Sequence, residues 1–260
     1  MNIIVIQHVT VEHLAAFADH FRMAGAILTV IDFSKGDRLP QSFDQFDAMV
    51  VLGGPMDVWQ HDRFPWLPEE IAAIRRFVVE AAKPYLGLCL GHQLLAAALG
   101  SPVAIASRGE VGIDRVELTS DAASDPLLGS LGSDQLTVFQ WHGAEVKALP
   151  ENAVRLAHSP VCEIQAFRFG SHAWGLQFHA EVGTETVASW ASLPEYAQSI
   201  RQQRGENGAE IVHNELVEAA GALAQLAEQI ATRWIACVQA AARTFREPNI
   251  GWENTGALGD

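Results

Sequence analysis

The stretch Gly87-Leu88-Cys89-Leu90-Gly91-His92-Gln93 constrains this chain more than any other. Before it, Lys83-Pro84-Tyr85-Leu86 reads as a buried strand. After it, Gln93-Leu94-Leu95-Ala96-Ala97-Ala98-Leu99 reads as a helix. A G-x-C-x-G between strand and helix is a tight, strained turn. Its glycines let the backbone fold back sharply, and the central side chain is pushed clear of the sheet. At a helix N-terminus, unpaired amides and the helix dipole favour a thiolate. The amide of Leu90 is placed to donate to an oxyanion, as acyl transfer through a thioester requires. The competing reading of Cys89 is a small apolar core residue.

The flanking pattern sets the fold class. Asn2–Gln7 is a β-branched strand. Residues 11–24 carry Leu14, Phe17, Ala18 and Phe21 at helical spacing, with Gly25 to end the helix. Strands follow at 26–31 and 47–52, the latter ending in Gly53-Gly54-Pro55. Residues 68–82 are helical, with Ile71, Ile74, Phe77 and Val78 on one face. Alternating strands and helices imply an α/β fold, a mostly parallel sheet covered on both faces. Ligands of such sheets lie at the strand carboxyl ends, where both Gly53-Gly54-Pro55 and Cys89 fall. Beyond Gly100, short β-rich pieces at 113–118, 135–140, 153–157, 164–169 and 173–178 predict antiparallel additions at one edge, the last strand returning to the crevice. From Ser189 the chain reads as helical, with a long stretch at 209–242. The tail, 247–260, contains Pro, Gly and Asn and reads as loose.

Two further segments carry chemistry. Gly175-Leu176-Gln177-Phe178-His179-Ala180-Glu181-Val182 delivers a histidine and, two residues on, a glutamate. In extended backbone the two share a face. His179 can then accept a thiol proton while Glu181 holds its other ring nitrogen. An incidental H-x-E at a solvated strand end is the alternative. In Gly53-Gly54-Pro55, paired glycines let a backbone amide approach a ligand closely, and the amide of Gly54 is a candidate second oxyanion donor. An ordinary turn is the alternative there.

A strand ending in G-G-P, then G-x-C-x-G-x-Q, then Q-F-H-x-E, in that order, resembles the class I (triad) glutamine amidotransferase family over roughly Asn2 to Trp190. The pattern is close to that of the amidotransferase domain of GMP synthetase, as a stand-alone member. The resemblance implies a flavodoxin-like sheet in residues 1–190, and leaves 191–260 as a helical extension packed on the same domain. It implies hydrolysis of a glutamine side-chain amide to glutamate and ammonia, with Cys89 as nucleophile, His179 as base and Glu181 as its orienter. The amides of Gly54 and Leu90 would form the oxyanion hole. Gly53, Gln93, Trp141 and His142 would border the substrate, with a structural role for His142 equally open. The usual proline between His and Glu is Ala180 here. His92, beside the nucleophile, is expected to point away along the new helix.

The resemblance also implies an ammonia acceptor, a separate synthetase chain. No Walker-type run or pyrophosphatase-like loop occurs in the sequence. Some stand-alone relatives instead cleave γ-glutamyl peptides or γ-glutamyl amines, and motifs do not separate these substrates, since the triad is indifferent to the leaving amine. A catalytically silent regulatory module of the same fold is the third reading, disfavoured by the complete triad.

A net charge of −14 argues against a nucleic-acid or anionic-membrane partner. Three widely spaced cysteines suggest no disulfide framework and a reduced, cytoplasmic setting. The N-terminus reads as a first strand rather than a signal peptide. Ten histidines show no metal-ligand spacing, so no metal or other cofactor is assigned. Segment 56–66, with Trp59 and Trp66, is either a lid over the crevice or a surface loop tucking its tryptophans inward. His8, just past the first strand, is expected to cap the strand end, with a place at the border of the crevice as the alternative.

Overall fold

The computed structural model describes residues 1–129 and 131–246; the tail expected to be loose lies outside them. Its strands are β1 (Asn2–Gln7), β2 (Ile27–Asp32), β3 (Ala48–Val51), β4 (Tyr85–Leu88), β5 (Val103–Leu118), β6 (Gln135–Val146), β7 (Ala153–His158), β8 (Ala166–Phe169) and β9 (Ala173–Leu176). The helices are α1 (Ala16–Met23), α2 (Leu67–Arg75, continued by a π turn at Arg76–Glu80), α3 (Leu90–Ala98), α4 (Thr186–Trp190), α5 (Pro194–Arg204) and α6 (Gly208–Arg246).

One sheet holds all nine strands, in the order β2-β1-β3-β4-β9-β8-β7-β5-β6. The pairs β2/β1, β1/β3, β3/β4 and β4/β9 are parallel. The remaining pairs are antiparallel. The expected parallel sheet with antiparallel edge additions is therefore observed, with β9 lying directly beside β4.

Alternation along the strands splits the core into two layers. Ile3, Val5, Val50 and Leu86 face α1 and α6, where Phe17, Phe21, Ile230 and Trp234 are buried. Ile4, Ile6, Met49, Val51 and Tyr85 face α2 and α3, against Leu67, Ile74, Leu94 and Leu95. Both faces are covered, which is why the Asn2–Gln7 run is apolar almost throughout. A third cluster joins β5 and β6 to α4, α5 and α6 through Phe139, Trp141, Trp190, Tyr196 and Ile200.

Three boundaries differ from expectation. Helix α1 begins at Ala16 rather than at 11, because side-chain and backbone bonds hold residues 8–15 in a loop. The Gln7 amide donates to the carbonyls of Val9 and Thr10, and the Ala16 amide donates to Glu181 O. Strands β5 and β6 are far longer than 113–118 and 135–140. They pair with one another over most of their length, across an irregularity between Ile105 and Glu110. Trp141-His142-Gly143 consequently lies inside β6. The sheet curls enough for β6 to reach back to the segment just beyond β9: Phe139 and His179 exchange backbone hydrogen bonds of 2.8 and 3.3 Å.

Candidate active site

Cys89 sits between β4 and α3 at φ 48° and ψ −100°, a strained conformation for a residue with a side chain. Close packing holds it there. A side chain on Gly87 would collide with the Gly91 carbonyl, and one on Gly91 with the Val51 carbonyl. The Cys89 amide donates to Leu176 O at 2.8 Å, tying the turn to β9. Both glycines of the motif are thus demanded by contact with neighbouring backbone.

The Phe139 bridge fixes His179 just beyond β9. Its Nδ1 lies 2.7 Å from Glu181 Oε1, and its ring stands edge-on to Trp190, centroids 4.7 Å apart. Nε2 has no hydrogen-bond partner among the described residues. The Cys89 thiol acts electrostatically on the His179 ring. The structure therefore brings Cys89, His179 and Glu181 together. Ala180 between them is fully buried.

Burial governs the charges. It pushes the Cys89 thiol upward, with His179 opposing and Glu12 and Glu181 adding to the rise. A thiolate favoured by the helix N-terminus alone is not what this environment gives, because Cys89 is only 5% exposed and desolvation dominates. Burial acts on His179 in the opposite sense, but Glu181 and Cys89 overcome it and hold the imidazole well above its ordinary value. The two groups titrate as a pair.

Gly54 packs against Leu90: a side chain there would come within 3.0 Å of Leu90 Cδ2. Leu90 opens α3, so its amide has no intrahelical acceptor. The Gly53 carbonyl accepts a 2.7 Å bond from His8 Nδ1, while His8 Nε2 lies 3.1 Å from Glu70 and its ring stacks on Trp66. His8 thus braces the G-G-P turn from behind. The Gln93 amide nitrogen donates to Ala144 O and Gln177 Oε1, and Gln177 in turn donates to Cys89 Sγ at 3.7 Å. The Trp141 carbonyl accepts from Cys89 Sγ at 3.8 Å.

His142 is placed differently. Its Nδ1 bonds to Ala144 O and its Nε2 lies 3.0 Å from Glu110, which also accepts from Ser159 and Gln165. Both nitrogens are occupied, so His142 borders the site with its ring committed to a polar network. His92 lies behind the turn against Phe167, and burial pushes its pKa down to about 3.

In front of Cys89 opens a cavity of about 180 Å³. Its walls are Gly54 to Asp57, the Cys89–Leu90 turn with Gln93, residues 141–144 of β6, and Glu195, Tyr196 and Ser199 of α5. Trp66 is packed inward on Phe33 and His8, whereas Trp59 is 40% exposed and does not line the cavity. Sequence reading missed the α5 wall and also Glu12, a buried carboxylate in the loop after β1. The rule that strand carboxyl ends carry ligands was a usable signal for Glu12. No group of acidic, histidine or cysteine side chains suited to a metal occurs among the described residues.

This geometry agrees with the comparisons. A family model, glutamine amidotransferase class-I, matches residues 13–189. The chain belongs to the class-I glutamine amidotransferase family. A glutamine-hydrolyzing GMP synthase subunit of Haloquadratum walsbyi is 39% identical over 137 residues, 52% of this chain and 66% of that one. Gamma-glutamyl peptidase 5 of Arabidopsis thaliana is 30% identical over 149 residues, 56% of this chain and 58% of that one. A solved glutamine amidotransferase from Thermotoga maritima superposes with a TM-score of 0.78 at 30% identity, covering 90% of this chain and 98% of that one. The flavodoxin-like reading of the sheet stands with this amidotransferase fold. Glu12 and the α5 wall fall outside the matched stretch. Among the described residues, no helix of this amidotransferase is long and apolar enough to cross a membrane.

Proposed function

We propose that this protein hydrolyses γ-glutamyl amides, glutamine first among them, through a cysteine thioester. The observation that carries the reading is the histidine ring held at Nδ1 by Glu181, with Nε2 left for the Cys89 thiol. In the first half-reaction Cys89 gives its proton to His179 and sulfur attacks the γ-carbonyl carbon. The amides of Gly54 and Leu90 hold the oxyanion; losing one such donor costs about 2.7–4 kcal/mol of barrier. As the tetrahedral intermediate collapses, the C–N bond breaks and His179 protonates the departing nitrogen. In the second half-reaction His179 takes a proton from water, hydroxide adds to the thioester, and the C–S bond breaks to release glutamate and the thiol. Glu181 steadies the imidazolium in both halves, and Gln93 contacts the substrate. The reaction needs a reduced Cys89, in keeping with a reduced, cytoplasmic setting; all three cysteines are free.

A γ-glutamyl peptide or amine is the second reading. It is favoured by the cavity wall on the side of α5, where Glu195 and Ser199 present polar groups to a leaving group larger than ammonia. Feeding ammonia to a separate synthetase chain is the first reading's natural extension, since one relative is by name part of a glutamine-hydrolyzing synthase. Glutamate release from L-glutamine and from a γ-glutamyl dipeptide, measured side by side with Cys89→Ala as control, tests both. Cysteine-dependent release from glutamine supports the first, preference for the dipeptide supports the second, and release that survives Cys89→Ala refutes the mechanism.

A further inference from the structure

Glu12 is 2% exposed and half satisfied. Oε1 accepts a hydrogen bond from the Tyr196 hydroxyl of α5. Oε2 has no partner among the described residues. That oxygen lies against Gly53, where an added side chain would collide with it, and His179 Cε1 lies 3.1 Å from the same point. A lone carboxylate oxygen and the polar C–H edge of the imidazole therefore meet over one glycine. Burying a carboxylate with an unmatched oxygen is costly, so its retention calls for a charge that uses it.

We propose that Glu12 is a second carboxylate partner of His179, a positioning residue that favours the imidazolium through its Cε1 edge and is itself aimed by Tyr196. Glu181 holds the ring at Nδ1 and Glu12 lies toward Cε1, leaving Nε2 for sulfur. The titratable groups facing Glu12 are His179 and Glu181 beyond β9, Tyr196 on α5, His8 after β1 and the Cys89 thiol before α3. Burial raises the Glu12 carboxyl to about 7, with His179, Tyr196 and His8 opposing and Glu181 adding. Its charge is then present in slightly alkaline solution and withdrawn as pH falls. Tyr196 also lines the catalytic cavity, so whatever occupies that cavity presses on the group that aims Glu12.

The inference rests on His179 acting as the base, but its test needs no turnover. In the full chain carrying Cys89→Ala, the thiol no longer couples to His179. The Cε1–H resonance of His179 is then followed by NMR across pH, with and without Glu12→Gln. The expected result is a fall of about one pH unit or more in the His179 midpoint in the double variant, since an adjacent opposite charge shifts a pKa by 1–3 units. An unchanged midpoint overturns the proposal. If Glu12→Gln does not fold, Tyr196→Phe serves. Without its hydroxyl donor Glu12 should take up its proton at higher pH, moving a second inflection of the same resonance upward; an inflection that stays put overturns the proposal equally. Loss of glutaminase activity in the unmodified protein would sink the proposed function and leave this titration intact.

Discussion

Of the three buried histidine–glutamate pairs around the site, His8–Glu70 lies behind the G-G-P turn, and the other two differ in how completely they are satisfied. At His142 and Glu110, both ring nitrogens have partners, and Ser159 and Gln165 complete the carboxylate. At His179 and Glu181, one ring nitrogen and one carboxylate oxygen have no partner among the described residues. Glu12 leaves a third polar atom open beside them. A fully bonded pair such as His142 and Glu110 rigidifies a fold, whereas a half-bonded one stores unmet interactions that a substrate can claim. The contrast separates a histidine that holds the wall in place from one able to move a proton.

The strongest way to break this contrast is Glu181→Gln. It keeps the shape of the pair but lets the ring adopt the wrong tautomer, as a triad amide does when it replaces the orienting carboxylate. Catalytic turnover should fall by about 10³-fold or more, with the thermal midpoint little changed. Steady-state kinetics beside a melting curve checks it, and retained turnover would demote His179–Glu181 to a structural pair.

Next in size is the stability cost of Glu12. Its carboxyl is raised from 4.5 to about 7, so between those values the folded chain binds a proton that the unfolded chain has released. Stability from this group is therefore lost as pH rises through that window, by roughly 3 kcal/mol once the group is fully ionised. Glu12→Gln should remove that slope and stabilise the protein at pH 8 more than at pH 5. Urea melts at the two values measure it. A variant that gains stability while losing the His179 titration shift would display function purchased against fold.

Glu110→Gln probes the satisfied pair. The new amide nitrogen replaces one carboxylate oxygen, so it faces either the Ser159 hydroxyl, which donates to Oε1, or the Gln165 amide, which donates to Oε2. The expected loss is about 1–3 kcal/mol of stability. Turnover per folded molecule should fall far less than in Glu181→Gln. Equal losses in the two variants would erase the distinction between the pairs.

The unequal legibility of these regions has a physical origin. Cys89 was readable because both positions where a side chain would collide, Gly87 with the Gly91 carbonyl and Gly91 with the Val51 carbonyl, fall on the tight turn itself and leave two glycines around the cysteine in sequence. His179 and Glu181 were readable because two residues of extended chain present one face, though the bridge to Phe139, not β9 itself, holds them. The G-G-P turn showed itself, while its brace by His8 and Glu70 did not, since 62 residues separate the partners. Glu12 and Tyr196 are 184 residues apart and meet only when α5 closes over the site. The length of β5 and β6 was hidden for the same reason: their pairing is non-local, and alternation in the sequence breaks where the strands curl. His142 kept two readings open in sequence because a histidine's role depends on what its second nitrogen touches.

The smallest expected effect belongs to the loop after the G-G-P turn, whose two ends behave differently. Met56 and Asp57 line the cavity, Asp57 with its carboxyl raised by burial, whereas Trp59 is exposed and off the wall. Trp59→Ala should change stability by less than about 0.5 kcal/mol, as exposed substitutions do. It should also leave the ratio of kcat/KM for glutamine over a γ-glutamyl dipeptide unaltered. Asp57→Asn, two residues earlier, is the change expected to move that ratio, because it alters charge at the cavity wall itself. If Trp59→Ala moved the ratio instead, the loop would have to fold over the cavity once substrate is bound, and Trp59 would become a lid residue whose open position is the one seen here.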